Sequence, residues 1–201
     1  MTRVFLTLIF LFFLFSPVLS KQSFAQDVVT ETDNPIGIDT EATESSVVVG
    51  QRVNYELPYP GMLPDNPFYI LKVLRDGIVK LLINKEMTMA RFSLESAEKR
   101  MYASKLLLEK DKDKLAIETF SKSNNYLEDS RQAVINAKKQ NPKDPDIKPF
   151  LQQFKSALLK HREIAFDVKK LVDKEFVGNF AIEEERINRM IKNADSLLRA
   201  K

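Results

Sequence analysis

Three stretches of this chain place mostly apolar or small residues at alternating intervals of three and four, a fourth carries a looser apolar stripe, and that spacing commits most of the sequence to helices. The first seam is Met87, Ala90, Leu94, Ala97, Met101, Ser104 and Leu108; the second is Ala116, Phe120, Ser123, Leu127, Ser130, Val134 and Ala137. A third runs Ile147, Leu151, Phe154, Leu158, His161, Ala165, Val168 and Val172, and the last carries Phe180, Ile187, Met190, Ile191, Ala194 and Leu197. Residues so spaced share one face of a helix, whereas a half-buried strand needs strict alternation. No alternating segment longer than a few residues occurs. The pattern predicts an all-α fold of about five helices in an antiparallel bundle. Alanines and serines recur on the first two seams, so those helices are expected to approach closely as a hairpin.

Turn residues place the helix ends. Lys110–Lys114 reads as a charged turn between helices that end near Leu108 and Lys139. Asn141-Pro142-Lys143-Asp144-Pro145 is the clearest break, and a long helix is expected after it, from Asp146 to Val177. Gly178 is expected to stop that helix and Asn179 to cap the last one. Upstream, Tyr55–Pro64 is held extended, because each of its prolines disfavours helix in the residue before it. Asn66 as cap and Pro67 at the first helical position then open a helix to about Ile83. That helix carries Ile70, Leu71, Leu74, Ile78, Leu81 and Leu82 on one side. Asn84 reads as the cap of the next.

The stretch Leu63-Pro64-Asp65-Asn66-Pro67-Phe68-Tyr69-Ile70-Leu71-Lys72 resembles the opening of a bacterial extracytoplasmic family known only as a domain of unknown function. Its members open L-P-x-[DN]-P-x-Y-x-L-K and continue into a hairpin of the A-E-x-R-L…A…L-L-E-K type. Ala97-Glu98-Lys99-Arg100-Met101 and Leu107-Leu108-Glu109-Lys110 stand where that hairpin would, and Lys160-His161-Arg162-Glu163-Ile164 is similar to the family's K-H-x-E-[VI] segment. The resemblance spans residues 58–200, nearly the whole helical part. It implies export and an all-α fold, with Leu63, Pro64, Asp65, Asn66, Pro67, Tyr69 and Lys72 as a structural motif. It carries over no catalytic or binding residue.

The N-terminus sets the expected compartment. Met1-Thr2-Arg3, the apolar run Val4–Phe15, the break at Ser16-Pro17 and the small-residue site Ser23-Phe24-Ala25 follow the layout of a secretory signal peptide. Cleavage is expected after Ala25, leaving an extracytoplasmic protein, secreted or in the cell envelope. The run is shorter than the ~20 apolar residues of a spanning helix; its retention as a membrane anchor is the alternative. Residues 26–54 read as an acidic, Thr- and Ser-rich linker, with Arg52 the only base. Such a segment buries too little apolar surface to offset the entropy of ordering it. The helical domain is expected from 55 to 201.

Composition excludes several functions. Arg3 and Lys21 leave with the signal segment and no acid does, so 29 basic residues face 28 acidic ones in the remainder. That balance gives no case for nucleic acid or anionic lipid. Without cysteine there is no disulfide, thiolate nucleophile, cysteine zinc site or acylated lipoprotein anchor. His161, the only histidine, sits on an apolar seam with Leu158 three residues before it, so the Glu-x-x-His pattern of di-iron bundles is missing. Asp111-Lys112-Asp113 lacks the central glycine and terminal glutamate of a calcium loop, and Asp144-Pro145-Asp146 contains proline. Glycine-rich phosphate loops and nucleophile elbows are absent.

These readings predict no catalytic residue, no metal site and no cofactor. Tyr55, Tyr59, Phe68 and Tyr69 are the candidate ligand contacts, as an aromatic lip, though capping and proline chemistry explain the same stretch structurally. The expected function is non-enzymatic binding in the envelope, to a protein or to wall glycan. A self-associating structural protein, or an enzyme or inhibitor of wall metabolism, are the rivals. A membrane is involved only if the N-terminal segment is retained. Oligomeric state is open.

Overall fold

The computed structural model describes residues 52–199; the expected signal segment, the expected cleavage after Ala25 and nearly all of the expected 26–54 linker lie outside them. Five helices follow in order: α1 Tyr69–Leu82, α2 Glu86–Leu108, α3 Asp113–Gln140, α4 Ile147–Leu171 and α5 Val177–Arg199. Among the described residues there is no strand. The all-α expectation holds. Four helices build the bundle, with α2 beside α3 and α4, and α5 beside the same two.

The seams explain this packing. Every seam residue named for α2 and α3 except Met87 is buried. Three of their serines cross the hairpin to main-chain carbonyls of the facing helix. Ser104 Oγ donates to Ala116 O, Ser123 Oγ to Ala97 O, and Ser130 Oγ to Ala90 O, each at 2.8 Å. A hydroxyl one carbon from the backbone reaches another helix's carbonyl only where the two axes run very close, which the alanines on both seams permit. Residue numbers fall on α2 as they rise on α3, so the pair is antiparallel. Lys169–Glu184 at 2.6 Å and Lys155–Asp195 at 2.6 Å give α4 and α5 the same sense. Replacing Ser123 by Ala is expected to cost about 1 kcal/mol of unfolding free energy, the net worth of one such bond. Chemical denaturation of the two proteins side by side checks it.

Phe120 of α3 and Phe180 of α5 join the two hairpins, their ring centroids 5.2 Å apart. On α4, the stripe from Ile147 through Leu158 and His161 to Val172 is buried as its spacing requires.

Several boundaries differ from expectation, each for a local reason. Asn66 does not cap a helix. Its side-chain oxygen accepts the Phe68 amide at 2.9 Å and its carbonyl accepts the Tyr69 amide at 3.0 Å, so Pro67 sits in a turn and α1 starts at Tyr69. Lys85 rather than Asn84 precedes α2, and no side chain caps that helix; Glu86 in its first turn suits the helix dipole. At the end of α2, Asp111 takes the left-handed conformation (φ 55°), and the Lys112 amide returns to Leu107 O at 3.0 Å. The fourth helix ends at Leu171 instead of Val177. There the Asp173 amide bonds the Asp113 carboxylate at 2.9 Å, which pulls the chain out of the helix. Gly178 and Asn179 consequently fall in the first turn of α5 and do not separate the two helices.

Candidate functional site

The largest departure from a simple bundle is α1. Its apolar residues do lie on one side, but that side faces outward and the helix has no buried residue. Ile70 is 66% exposed, Leu74 62%, Leu81 87% and Leu82 77%, with Leu71 and Ile78 also more than half open. The side turned to the bundle is polar: Tyr69, Lys72, Asp76 and Lys80 are the half-covered positions. The sequence pattern alone assigns the apolar side to a core, and the assignment fails because α1 is held by ion pairs and aromatic faces instead. Lys80 Nζ reaches Asp129 of α3 at 2.7 Å and sits 5.5 Å from the centre of the Tyr126 ring. Arg100 of α2 lies over the same ring at 4.1 Å. Lys72 Nζ donates to the Pro60 carbonyl at 2.6 Å, and its burial holds its pKa below the usual lysine range.

Before α1, residues 52–64 run as an extended strap across α2 and α4. The packed segment already includes Val53, whose amide bonds Glu163 Oε2 at 2.6 Å. Tyr55 donates its hydroxyl to Glu98 Oε1, and Gln153 Nε2 donates to the Tyr55 hydroxyl oxygen at 3.4 Å. The strap is pinned further along by Asp65, which pairs with Lys112 at 2.8 Å and Lys110 at 3.1 Å; these two cations hold its carboxyl below the usual range. On one side of the strap a cleft of about 530 Å³ is lined by Tyr55, Leu57, Arg91, Glu95, Glu98 and Gln153, and on the other a cleft of about 410 Å³ by Tyr55, Leu57, Tyr102, Lys105 and Lys160.

The four aromatic candidates are distributed among different jobs. Tyr55 is half-buried by its bond to Glu98, which together with burial raises its pKa. Tyr59 is 71% exposed and meets Tyr102 edge-on at 6.2 Å. Tyr69 is half-covered at the base of α1, with Lys72 Nζ 5.5 Å from its ring centre, while Phe68 beside it is open. In the motif, Leu63 and Pro64 are half-covered and Asn66 and Pro67 are exposed.

Glu98 is the residue the sequence reading passes over. It lies one position beyond the seam residue Ala97 and is 5% exposed. Burial lifts its pKa to about 7, against the opposing bond from Tyr55, and the charge of nearby Glu95 adds to the rise. The signal available was a glutamate at the seam's edge opposite a strap tyrosine, which only the folded chain brings together.

His161 is fully buried. Its Nδ1 lies 2.7 Å from the Ala157 carbonyl, so that nitrogen carries the proton, and Nε2 has no hydrogen-bond partner among the described residues. Burial lowers its pKa to about 4 against the pull of the Ala157 and Ala97 carbonyls, which leaves the ring neutral at pH 7. No group of three His, Asp or Glu side chains among the described residues is arranged to hold a metal ion. None of the described helices is long and apolar enough to cross a membrane.

No family model, curated protein or solved structure matches this chain.

Proposed function

We propose that this chain is an extracytoplasmic, non-enzymatic interaction module of the cell envelope, and that α1 is the element that makes the contact. The observation that carries the reading is the outward apolar side of α1. A helix that rests on its domain through Tyr69, Lys72, Asp76 and Lys80 leaves six of its eight aliphatic side chains, those of the outward arc, for something else. An exposed apolar patch of this extent marks a docking surface far more often than an accident of packing. The signal-like N-terminus and the resemblance at Leu63–Lys72 support the location.

The double substitution Leu74→Glu/Ile78→Glu tests it. Both side chains are more than half exposed, so unfolding free energy is expected to stay within roughly 0.5 kcal/mol of the parent. Fractionation of the producing cell is expected to find the parent chain with the envelope and the variant among soluble proteins. Equal distribution of the two would sink the proposal.

A further inference from the structure

The partner that best fits α1 is an anionic lipid surface. We propose that α1 is a pre-formed amphipathic helix that lies in the plane of an anionic membrane and inserts Ile70, Leu71, Leu74, Ile78, Leu81 and Leu82 into it. This rests on the interaction reading above and names its partner.

Shape is the first argument. Successive helical residues rise 1.5 Å, so the arc from Ile70 to Leu82 forms a stripe roughly 18 Å long, parallel to the helix axis. A stripe lying along the surface, shallow and unbroken, suits the boundary between headgroups and acyl chains. Phe68, 64% exposed at the N-terminal end, adds an aromatic ring of the kind that interfacial helices carry on the apolar face.

Charge is the second, and it decides between a lipid surface and a second copy of this chain. Turning 100° per residue places Arg75 beside Leu71 and Leu82 on one edge of the arc. Lys80 lies beyond the opposite edge, and the exposed Lys85 follows the helix. The helix holds one acid, Asp76, whose side chain is 13% exposed, turned to the bundle and paired with Arg75 at 2.7 Å. Two copies meeting arc to arc would bring basic edges together with no exposed acid on either helix to answer them. Lys80 is already engaged by Asp129, so Arg75, its side chain 60% exposed, and Lys85 are the bases left for anionic headgroups, each at about the strength of one favourable contact near the surface.

Pre-organisation is the third. Isolated helices of this length are marginal in water and usually form only on the membrane. Here the Lys80–Asp129 pair and the Lys72 bond to Pro60 O hold α1 against the bundle, so its order is not bought at binding.

The absence of cysteine makes the test site-specific. The full chain carrying Leu81→Cys, labelled with a polarity-sensitive nitrobenzoxadiazole dye, is titrated with vesicles of equal parts phosphatidylglycerol and phosphatidylcholine. A second version carries the label at Lys192→Cys, on the exposed surface of α5. The expected result is a several-fold brighter, blue-shifted emission from position 81 and no change at 192. Arg75→Gln is expected to raise the lipid concentration at half-response roughly five-fold in the anionic vesicles and not in pure phosphatidylcholine. Because the probe reports on α1 itself, binding through the Val4–Phe15 run cannot imitate the signal. A label at 81 that stays dark with lipid overturns the proposal, as does one that brightens with protein concentration alone, the sign of self-association. If the lipid result fails while Leu74→Glu/Ile78→Glu still frees the chain from the envelope, the interaction module survives with a protein partner. If both fail, both readings fall.

Discussion

The Glu98 carboxyl is expected to take about 3 kcal/mol from the folded state as pH rises from 4.5 to 7, and Glu98→Gln is expected to abolish that contribution. The carboxyl has a folded-state pKa near 7, raised from an ordinary 4.5 chiefly by burial. Between those values the folded chain holds a proton that the unfolded chain has released. Stability from this group is therefore complete below pH 4.5 and is lost as pH rises through 7. His161 runs the other way. Its pKa falls to about 4 on folding from an ordinary 6.5, so its contribution is complete above pH 6.5 and is lost as pH falls through 4. The two titrations oppose each other over pH 4.5–6.5, and the parent's own profile is expected to look flat there. Denaturant midpoints of parent and Glu98→Gln across pH 4–8 separate them, since His161 is common to both. The difference should grow steadily in the variant's favour as pH rises. Parallel curves would mean that Glu98 ionises in the folded state as freely as in the unfolded one.

The same pair shows where sequence reading stops. The serine seams were legible because a helix repeats every 3.6 residues and small residues at seam positions have one common use, which Ser104, Ser123 and Ser130 then fulfil against the facing carbonyls. Glu98 was not legible, because its environment comes from Tyr55, 43 residues away in the strap. The break at 172–176 was misplaced for a related reason: Gly178 looks like a stop, but the Asp113 carboxylate that captures the Asp173 amide comes from α3.

The case of α1 is different in kind. Periodicity identified the helix and its apolar arc correctly, yet periodicity says only that two faces differ. Which face meets the bundle depends on what the bundle offers, and α3 offers the Tyr126 ring and the Asp129 carboxylate, which suit the Lys80 cation. Reading an amphipathic helix as core assumes that its neighbours are apolar. Here the assumption failed, and the failure is what exposes the candidate surface.

Phe120→Ala is expected to be the most damaging single change considered, lowering unfolding free energy by about 4 kcal/mol. The ring is fully buried and removal leaves a cavity where α3, α5 and the rest of the core converge. Its contact with Phe180 adds a share of roughly 1 kcal/mol beyond area burial. Because this pair spans the two hairpins, Phe180→Ala should couple to it: the double variant is expected to cost less than the two single losses added. Additive losses would mean that the rings merely fill separate parts of the core. The position of α1 supplies a further check. It buries no residue of its own and takes its seat from Tyr126, Asp129 and the strap, so it cannot outlast the bundle, and the pre-formed arc requires that the Lys80–Asp129 and Lys72–Pro60 contacts hold it until the bundle opens. A label at Leu81→Cys followed beside far-ultraviolet ellipticity in the Phe120→Ala chain should therefore report one transition. Two separated transitions would show that α1 detaches from an intact bundle, and its seat there would then be too weak to present the apolar arc.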